Sequence, residues 1–431
     1  MLFTSQQKKI ICLTSLGGAL EFYDFVIFLF FSKTLSTLFF PSTNSNHALI
    51  ASLALFAVGY LARPLGGLAL GHLGDRSGRK KPFILALIGM TIPSLLIGVL
   101  PGYQTIGMFA PIALVCLRLV QGFSLGGEIP GALVFITELT PTTHRALVCA
   151  LIFTGINLGA LLASLVVNLL SHTLQPAALL SWGWRLSFCL GGLLGAVSYY
   201  LRRQLYETPL FLDLKKQKKL SYLPIKQVVT KYPIKMLQGA LLASLNAVIT
   251  SLFFLFMPTY LNTFFNYPFP TLIGLHSLLT VYVTLISLGV AYLADKWGYL
   301  TCLRFGSGAL LLLGYPLYSL FAYHSFPLVV LSELLLVSFG AIIFNTFPSI
   351  LVGLYPTEVR FTGVALAYNL GYSLAGGLTP LCVMALIHFT GNTLAPSGFL
   401  ILFALFAWIA SFFMTETRGV SLKTSNLTEE K

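Results

Sequence analysis

Charge is scarce in this sequence. Only 9% of its 431 residues are Asp, Glu, Lys or Arg, against about 25% in soluble domains. That shortage excludes a soluble enzyme, a nucleic-acid-binding domain and a disordered chain, each of which needs a large solvated polar surface. The chain also lacks strands of alternating polar and apolar residues, which excludes an outer-membrane barrel. Its six cysteines (Cys12, Cys116, Cys149, Cys189, Cys302, Cys382) form no CxxC pair. They stand singly in or beside apolar runs and read as small packing residues. No HExxH or Cys/His ligand spacing occurs at membrane depth, so neither metal, cofactor nor enzymatic activity is expected.

What fills the chain is apolar. The AVILMFWYC residues make up 56% of it, and mean hydropathy is +0.86. At roughly 20 residues per bilayer-spanning helix, that is enough for about twelve spans with almost nothing left for a soluble domain. The predicted spans are 10–32, 48–70, 82–100, 106–135, 146–170, 183–201, 236–262, 269–293, 302–321, 327–353, 361–387 and 397–414. The N-terminus, with Lys8-Lys9 before an apolar stretch, could pass for a signal peptide, but Glu21 and Asp24 interrupt the apolar core. A retained first span is therefore expected. The segment 202–235 is rich in lysine and contains Pro209, Pro224 and Pro233; it reads as a cytosolic linker with one or two interfacial helices. The expected organisation is a six-helix bundle over 1–201, the linker 202–235, a second bundle over 236–414 and a cytosolic tail over 415–431.

The distribution of charge gives an orientation. With the N-terminus inside, and Arg304 at the inner end of span nine counted as cytosolic, the cytosolic segments hold every Lys and Arg except Lys33, Arg63, Arg118 and Arg185, and every acid except Glu21, Asp24, Glu128 and Glu333. These eight exceptions balance, so the whole net charge of +13 falls on the cytosolic side. Basicity of this kind reports topology and anionic headgroups rather than nucleic acid.

Two loops recur. G-H-L-G-D-R-S-G-R-K-K at 71–81 is echoed by A-Y-L-A-D-K-W-G at 291–298, and T-P-T-T-H-R at 140–145 by Y-P-T-E-V-R at 355–360. Asp75 and Asp295 are 220 residues apart, and Arg145 and Arg360 are 215 apart. Two loop types repeated in order at nearly one offset indicate a duplicated six-helix unit, an architecture of many secondary transporters.

The first loop resembles the signature of the major facilitator superfamily, G-x-x-x-D-R-x-G-R-[RK], through Gly71, Asp75, Arg76, Gly78, Arg79 and Lys80. Span four carries a second superfamily pattern, R-x-x-Q-G, as Arg118, Gln121 and Gly122. A finer resemblance is to the metabolite:proton symporter branch, which includes proline/betaine, 2-oxoglutarate, citrate and shikimate carriers. It rests on L-E-F-Y-D-F at 20–25, R-P-L-G-G at 63–67, R-L-V-Q-G-F-S-L-G-G-E at 118–128, W-G-W-R at 182–185, L-R-R-Q-L-Y-E-T-P at 201–209 and Y-P-T-E-V-R at 355–360. Phe22 departs from the Trp usual in that branch. The resemblance implies an all-helical fold of two pseudo-symmetric six-helix bundles with both termini cytosolic, in the bacterial cytoplasmic membrane. It also implies a cytosolic gate in which Asp75 faces the N-terminal end of span eleven, with Gly71, Arg76, Gly78, Arg79, Arg145, Asp295 and Arg360 as further parts.

Ionisable groups at bilayer depth are costly and need a reason. From the entry points of spans one and four, Glu21 and Arg118 lie about 16 and 18 Å deep at 1.5 Å per residue, and Asp24 shares the face of Glu21. Two readings stand side by side: a permanent ion pair that locks spans one and four, or a proton site whose protonation frees the arginine for an anion. Glu128 is expected to pair with a basic residue of the 71–81 loop such as Arg79 and hold the inner side shut. Arg63 reads as a snorkelling or gate residue, Glu333 and Arg185 as residues of the outer rim, and His276 as a packed or water-facing histidine. Candidate substrate ligands are Glu21, Phe22, Asp24, Arg118, Gln121, Asn157, Asn246, Asn345, Tyr368, Asn369 and Tyr372. The Asn residues both donate and accept; helix–helix hydrogen bonding is the alternative for each. Phe22, Tyr23 and Phe25 could stack on a quaternary ammonium.

The expected function is proton-coupled uptake of a small carboxylate-bearing metabolite, an amino acid or betaine or an organic acid, by a monomer in the lipid bilayer. The alternatives are an efflux antiporter and a non-transporting sensor. Family antiporters carry a Gly-Pro pair in span five; T-G-I-N-L-G-A-L-L-A-S at 154–164 has no proline, which favours uptake. The tail after Arg418 shows no heptads, so an osmosensing coiled coil is not expected.

Overall fold

The computed structural model describes residues 3–40 and 45–422, with side chains at all of these except 21, 25, 33, 45–57, 176 and 270. Among the described residues, twelve long helices follow one another: α1 (Ser5–Phe30), α2 (Ser45–Ser77), α3 (Lys80–Val99), α4 (Phe109–Leu139), α5 (Arg145–Thr173), α6 (Trp184–Arg202), α7 (Pro233–Phe265), α8 (Phe269–Trp297), α9 (Tyr299–Ser319), α10 (Phe326–Gly353), α11 (Arg360–Thr390) and α12 (Ala395–Phe412). Ten of them, all but α2 and α6, are long and apolar enough to cross a membrane. No strand interrupts the described chain.

Local chemistry sets the ends. Thr4 accepts from the Gln7 amide at 3.2 Å while the Gln7 side chain accepts from Thr4 N at 3.0 Å, a capping box that starts α1. Pro233, Pro327 and Pro396 occupy the first turns of α7, α10 and α12, where no intrahelical donor is needed. Asn266 and Gly391 close α7 and α11 in the left-handed conformation, with φ of 58° and 64°. Helices α7 and α11 are each broken by a π-helical stretch, Thr250–Phe256 and Tyr372–Gly376. The linker segment contains two short helices, Pro209–Lys216 and Pro224–Lys231.

The chain divides into two compact units, residues 1–139 with 151–224, and residues 140–150 with 225–431. In the first unit, α2 and α4 cross backbone against backbone: a Cβ on Gly122 would overlap the carbonyl of Gly59, and one on Gly66 the carbonyl of Phe123. This close approach explains why a glycine follows Gln121 in the R-x-x-Q-G pattern. One end of the unit is sealed by Tyr23, Phe28, Phe39, Trp184 and Phe188, all fully buried. Phe39 and Phe188 meet the Trp184 ring edge-on, with centroids 6.1 and 5.9 Å away. Arg185, expected on a rim, is half-buried and donates to the carbonyls of Gly98 and Leu100 at 3.1 and 2.7 Å, completing the C-terminus of α3. In the second unit, Gly371 and Gly376 lie against Ala243 and Ala247, so α7 and α11 also pack closely. There the Ser251 hydroxyl donates to the Gly376 carbonyl at 2.8 Å, joining the two π-helical stretches.

Candidate functional site

Asp24 on α1 and Arg118 on α4 are both buried, 5% and 6% exposed. They do not touch: among the described residues no ion pair between them falls within 4.0 Å. Gln121 stands between. Arg118 Nη1 donates to Gln121 Oε1 at 2.8 Å, and Gln121 Nε2 donates to Asp24 Oδ2 at 2.5 Å and to Ser94 Oγ on α3 at 3.0 Å. Ser94 passes its own proton to the Met90 carbonyl at 2.9 Å. The 118/121 spacing places the arginine and glutamine on one face of α4, one turn apart. The Arg118 guanidinium lies 3.1 Å from the centroid of the Phe28 ring on α1, a cation–π contact.

Two further features bear on the chemistry open to this arrangement. The second oxygen of Asp24, Oδ1, is buried and has no hydrogen-bond partner; it faces Gly191 on α6, where an added Cβ would come within 3.4 Å. Beside it, Asp24, Tyr60, Met90, Arg118, Gln121 and Leu125 line a cavity of ≈ 30 Å³, room enough for a water molecule. An ionised carboxylate with a bare oxygen in such a place is expensive, and a proton or water removes the cost. The permanent ion pair, one of the two readings for spans one and four, is replaced by a relay through the neutral Gln121 amide, which is long enough to reach both partners. The side chain of Glu21 lies outside the described residues. Phe22 is half-buried, whereas Tyr23 is fully buried and donates to the Ser187 carbonyl at 3.0 Å, a packing role rather than an ammonium platform. Asn157 on α5 is half-buried.

In the second unit, Asn246 on α7 donates through Nδ2 to the Tyr372 hydroxyl at 2.6 Å. Tyr372 stacks on Tyr368, centroids 4.3 Å apart and planes 15° from parallel, and Tyr368 lies over Phe347 at 6.2 Å. The carbonyl oxygen of Asn246 is buried without a partner. Asn345 donates to Ser287 at 3.0 Å and to the Ala341 carbonyl at 2.7 Å, and Asn369 to the Ala365 carbonyl at 2.8 Å. Their local hydrogen bonding is the helix-packing alternative.

The loop at 71–81 is built into the first unit by acids that lie outside its own motif. Arg79 contacts Asp75 at 2.7 Å and Glu138 at 3.5 Å. Glu207 accepts from the amides of Arg79 and Lys80 at 2.9 and 3.2 Å, capping α3, and Thr208 donates to Glu138 at 2.7 Å. Glu128 pairs with Arg202 of α6, not with Arg79 as expected. The reason is that Glu138 and Asp75 already flank Arg79, while Arg202 comes down beside Phe83 and reaches the α4 face that carries Glu128. Arg63 is buried with its guanidinium 5.2 Å from the Tyr60 ring.

The second unit repeats this device. Gly78 and Gly298 share φ of 107°, a conformation left to glycine. Glu416 accepts from Leu300 N at 2.9 Å at the start of α9, as Glu207 does at the start of α3. Asp295 accepts from Ala146 and Leu147 N, both at 3.0 Å, and from the Tyr299 hydroxyl at 2.9 Å. Arg145 donates to the carbonyls of Thr417 and Val420 at 3.2 and 2.8 Å, and Arg360 to that of Leu422 at 3.3 Å. Sequence reasoning missed Glu138, Arg202, Glu207, Tyr299 and Glu416. A signal for two of them was present: Y-E-T-P at 206–209 and T-E-T-R at 415–418 follow the last helix of each half.

Comparison with known proteins agrees with this architecture. The pattern of the Major Facilitator Superfamily matches residues 25–380. The chain is 32% identical to the proline/betaine transporter of Escherichia coli strain K12, over 96% of this chain and 85% of that one. It is 32% identical to the glycine betaine/proline/ectoine/pipecolic acid transporter OusA of Dickeya dadantii, over 98% and 87% of the two chains. A putative proline/betaine transporter of Staphylococcus haemolyticus is also 32% identical, over 97% and 90%. The proton:xylose symporter XylE bound to 6-bromo-6-deoxy-D-glucose shares the fold, with a TM-score of 0.79 and 18% identity over 98% of each chain. These relatives are named as transporters, not enzymes, and with ten apolar helices they mark a multi-pass protein of the bacterial cytoplasmic membrane. The chain belongs to the major facilitator superfamily.

Proposed function

We propose that the protein imports a small carboxylate-bearing zwitterion, with proline and betaines as the first substrates to consider, together with a proton. The observation that carries this reading is the chain Asp24–Gln121–Arg118 with its bare Asp24 Oδ1. A proton arriving at Asp24 neutralises the acceptor of the Gln121 amide. The amide then loses its reason to point at Asp24, and Arg118, which otherwise lies over Phe28, becomes free to take a substrate carboxylate in its planar fork. Loss of the proton restores the relay and expels the anion. The names of the relatives support a zwitterion over a dicarboxylate, as does the single arginine of the relay.

The second unit offers, by itself, groups of the kind that hold an ammonium: the Tyr368–Tyr372 face and the Asn246 carbonyl oxygen. Aromatic faces suit a quaternary ammonium, and a bare carbonyl acceptor suits a secondary one such as that of proline. The loops 71–81 and 291–298, with their capping acids Glu207 and Glu416, are assigned to the cytosolic side and to the opening and closing of the carrier there. Alternating access then follows from the duplicated unit.

The test is uptake of labelled proline and glycine betaine into proteoliposomes under an imposed inward proton gradient. Accumulation that collapses with a protonophore and is lost in Arg118→Ala is expected. Extrusion of hydrophobic cations, with no uptake of either zwitterion, would replace this reading with the efflux one.

A further inference from the structure

A second buried carboxylate lies outside the site above. Glu333, placed on a rim by its position in the sequence, is 2% exposed in the structure. Its neighbour Ser332 donates to the Leu317 carbonyl of α9 at 2.7 Å. That bond fixes α10 against α9 and turns Glu333 into the second unit. Neither oxygen of Glu333 has a hydrogen-bond partner. The nearest basic group is His276 on α8, whose Nε2 lies 3.5 Å from Glu333 Oε1 with its side chain 11% exposed. Both residues sit seven positions into helices that start on the same side of the unit, so they lie at the same depth, about 10 Å along each helix.

We propose that His276 and Glu333 form a buried proton-binding site that holds one shared proton. A carboxylate with no donor in an apolar interior is unstable as an anion. It is neutralised either by a proton of its own, donated to His276 Nε2, or by a proton on His276 that makes the pair ionic. Both arrangements add one proton between the same two atoms. A structural ion pair would close to about 2.8 Å and satisfy the remaining lone pairs. Here the separation exceeds ordinary hydrogen-bond length, and both carboxylate oxygens are bare.

The surroundings leave the pair to itself. The titratable groups facing Glu333 are His276 from α8 and Tyr318 from α9, whose hydroxyl is also buried without a partner. Behind Tyr318 stands Tyr260 of α7, ring centroids 6.1 Å apart, with its hydroxyl committed to the Thr393 carbonyl at 2.7 Å. His324, after the short helical turn Leu320–Tyr323 that follows α9, has its ring 6.1 Å from that of Phe265. No lysine or arginine lies within 4.0 Å of Glu333 among the described residues. Uptake of the proton converts a loose contact into a hydrogen bond and draws α8 and α10 together at this level. The second unit thereby gains a proton-sensitive contact independent of Asp24.

Infrared difference spectra of the full chain in lipid vesicles, recorded across a pH titration without substrate, test this directly and do not depend on the transported molecule. A pH-dependent carboxyl or carboxylate band that persists in Asp24→Asn and disappears in Glu333→Gln is expected. His276→Gln should move the midpoint of that band by at least one pH unit, a tenfold change in proton affinity. A Glu333→Gln spectrum identical to the wild type overturns the proposal. So does an unmoved midpoint in His276→Gln, which also decides the matter if Glu333→Gln fails to fold.

Discussion

Gln121 holds Asp24 and Arg118 apart while bonding to both, through its amide nitrogen at 2.5 Å and its amide oxygen at 2.8 Å. A glutamine has one donor end and one acceptor end, so it can join an acid and a base without surrendering the charge of either. The charges stay available for a proton and an anion, which a closed ion pair would not allow.

Replacing Gln121 by Leu removes both ends of the relay. Two buried charged groups then lose a partner, at about 1–3 kcal/mol each. A lower melting temperature in detergent and at least tenfold slower uptake are expected. Wild-type uptake by Gln121→Leu would show that the amide is a spectator.

The pair Glu128–Arg202 is buried on both sides. Truncating one partner strands the other, typically at about 3–5 kcal/mol, whereas replacing both by apolar residues costs far less. Thermal unfolding of Glu128→Leu, Arg202→Leu and the double variant should therefore be strongly non-additive, with the double variant the most stable of the three. Additive losses would contradict the pairing.

The two halves solve one structural problem with different chemistry. Arg79 reaches Asp75 and Glu138 in the first unit. In the second, Tyr299 donates to Asp295, and Gly353, 215 residues after Glu138, stands where the second acid would, with Thr417 only 2.7 Å from any Cβ added there. Charge and countercharge are exchanged together. Arg79→Tyr alone and Glu138→Gly alone should each lower expression and melting temperature, and the double variant should recover much of the loss. A double variant worse than either single would refute the correspondence.

Gly78 combines a φ of 107° with a Glu207 carboxylate sitting where a Cβ would go. Gly78→Ala should cost about 1–3 kcal/mol from backbone strain and lose the cap on α3 as well. Gly298→Ala is expected to cost less, since Glu416 leaves 2.9 Å to the added carbon. Equal melting temperatures for the two variants would contradict that ranking.

Much of this was legible in the residues. Apolar runs announce long helices because lipid offers the backbone no hydrogen bonds, and the repeated Asp75 and Asp295 loops announce the duplication. Asp24, Arg118 and Gln121 stood out because polar groups at that depth need a partner. The identity of the partner was not legible. Whether Arg118 meets Asp24 directly or through Gln121 depends on the spacing of α1 and α4, where the Phe28 ring lies against the Arg118 guanidinium; hydropathy carries no such distance. Glu128 was given the wrong arginine for the same kind of reason, since Arg79 and Arg202 are equally basic and only the packing of α6 separates them. Glu333 was assigned to a rim because depth along a helix says nothing of the direction a side chain faces, which Ser332 and α9 decide.

The central claim, that Asp24 couples a proton to the substrate, is tested most directly in proteoliposomes containing Asp24→Asn. A carrier that moves one net charge inward gains about 2.3 kcal/mol per 100 mV, roughly a 50-fold concentration gradient. Asp24→Asn is expected to lose this accumulation while still exchanging labelled for unlabelled proline or betaine across the membrane. Accumulation by Asp24→Asn to the wild-type level, with the same sensitivity to a protonophore, would contradict the account.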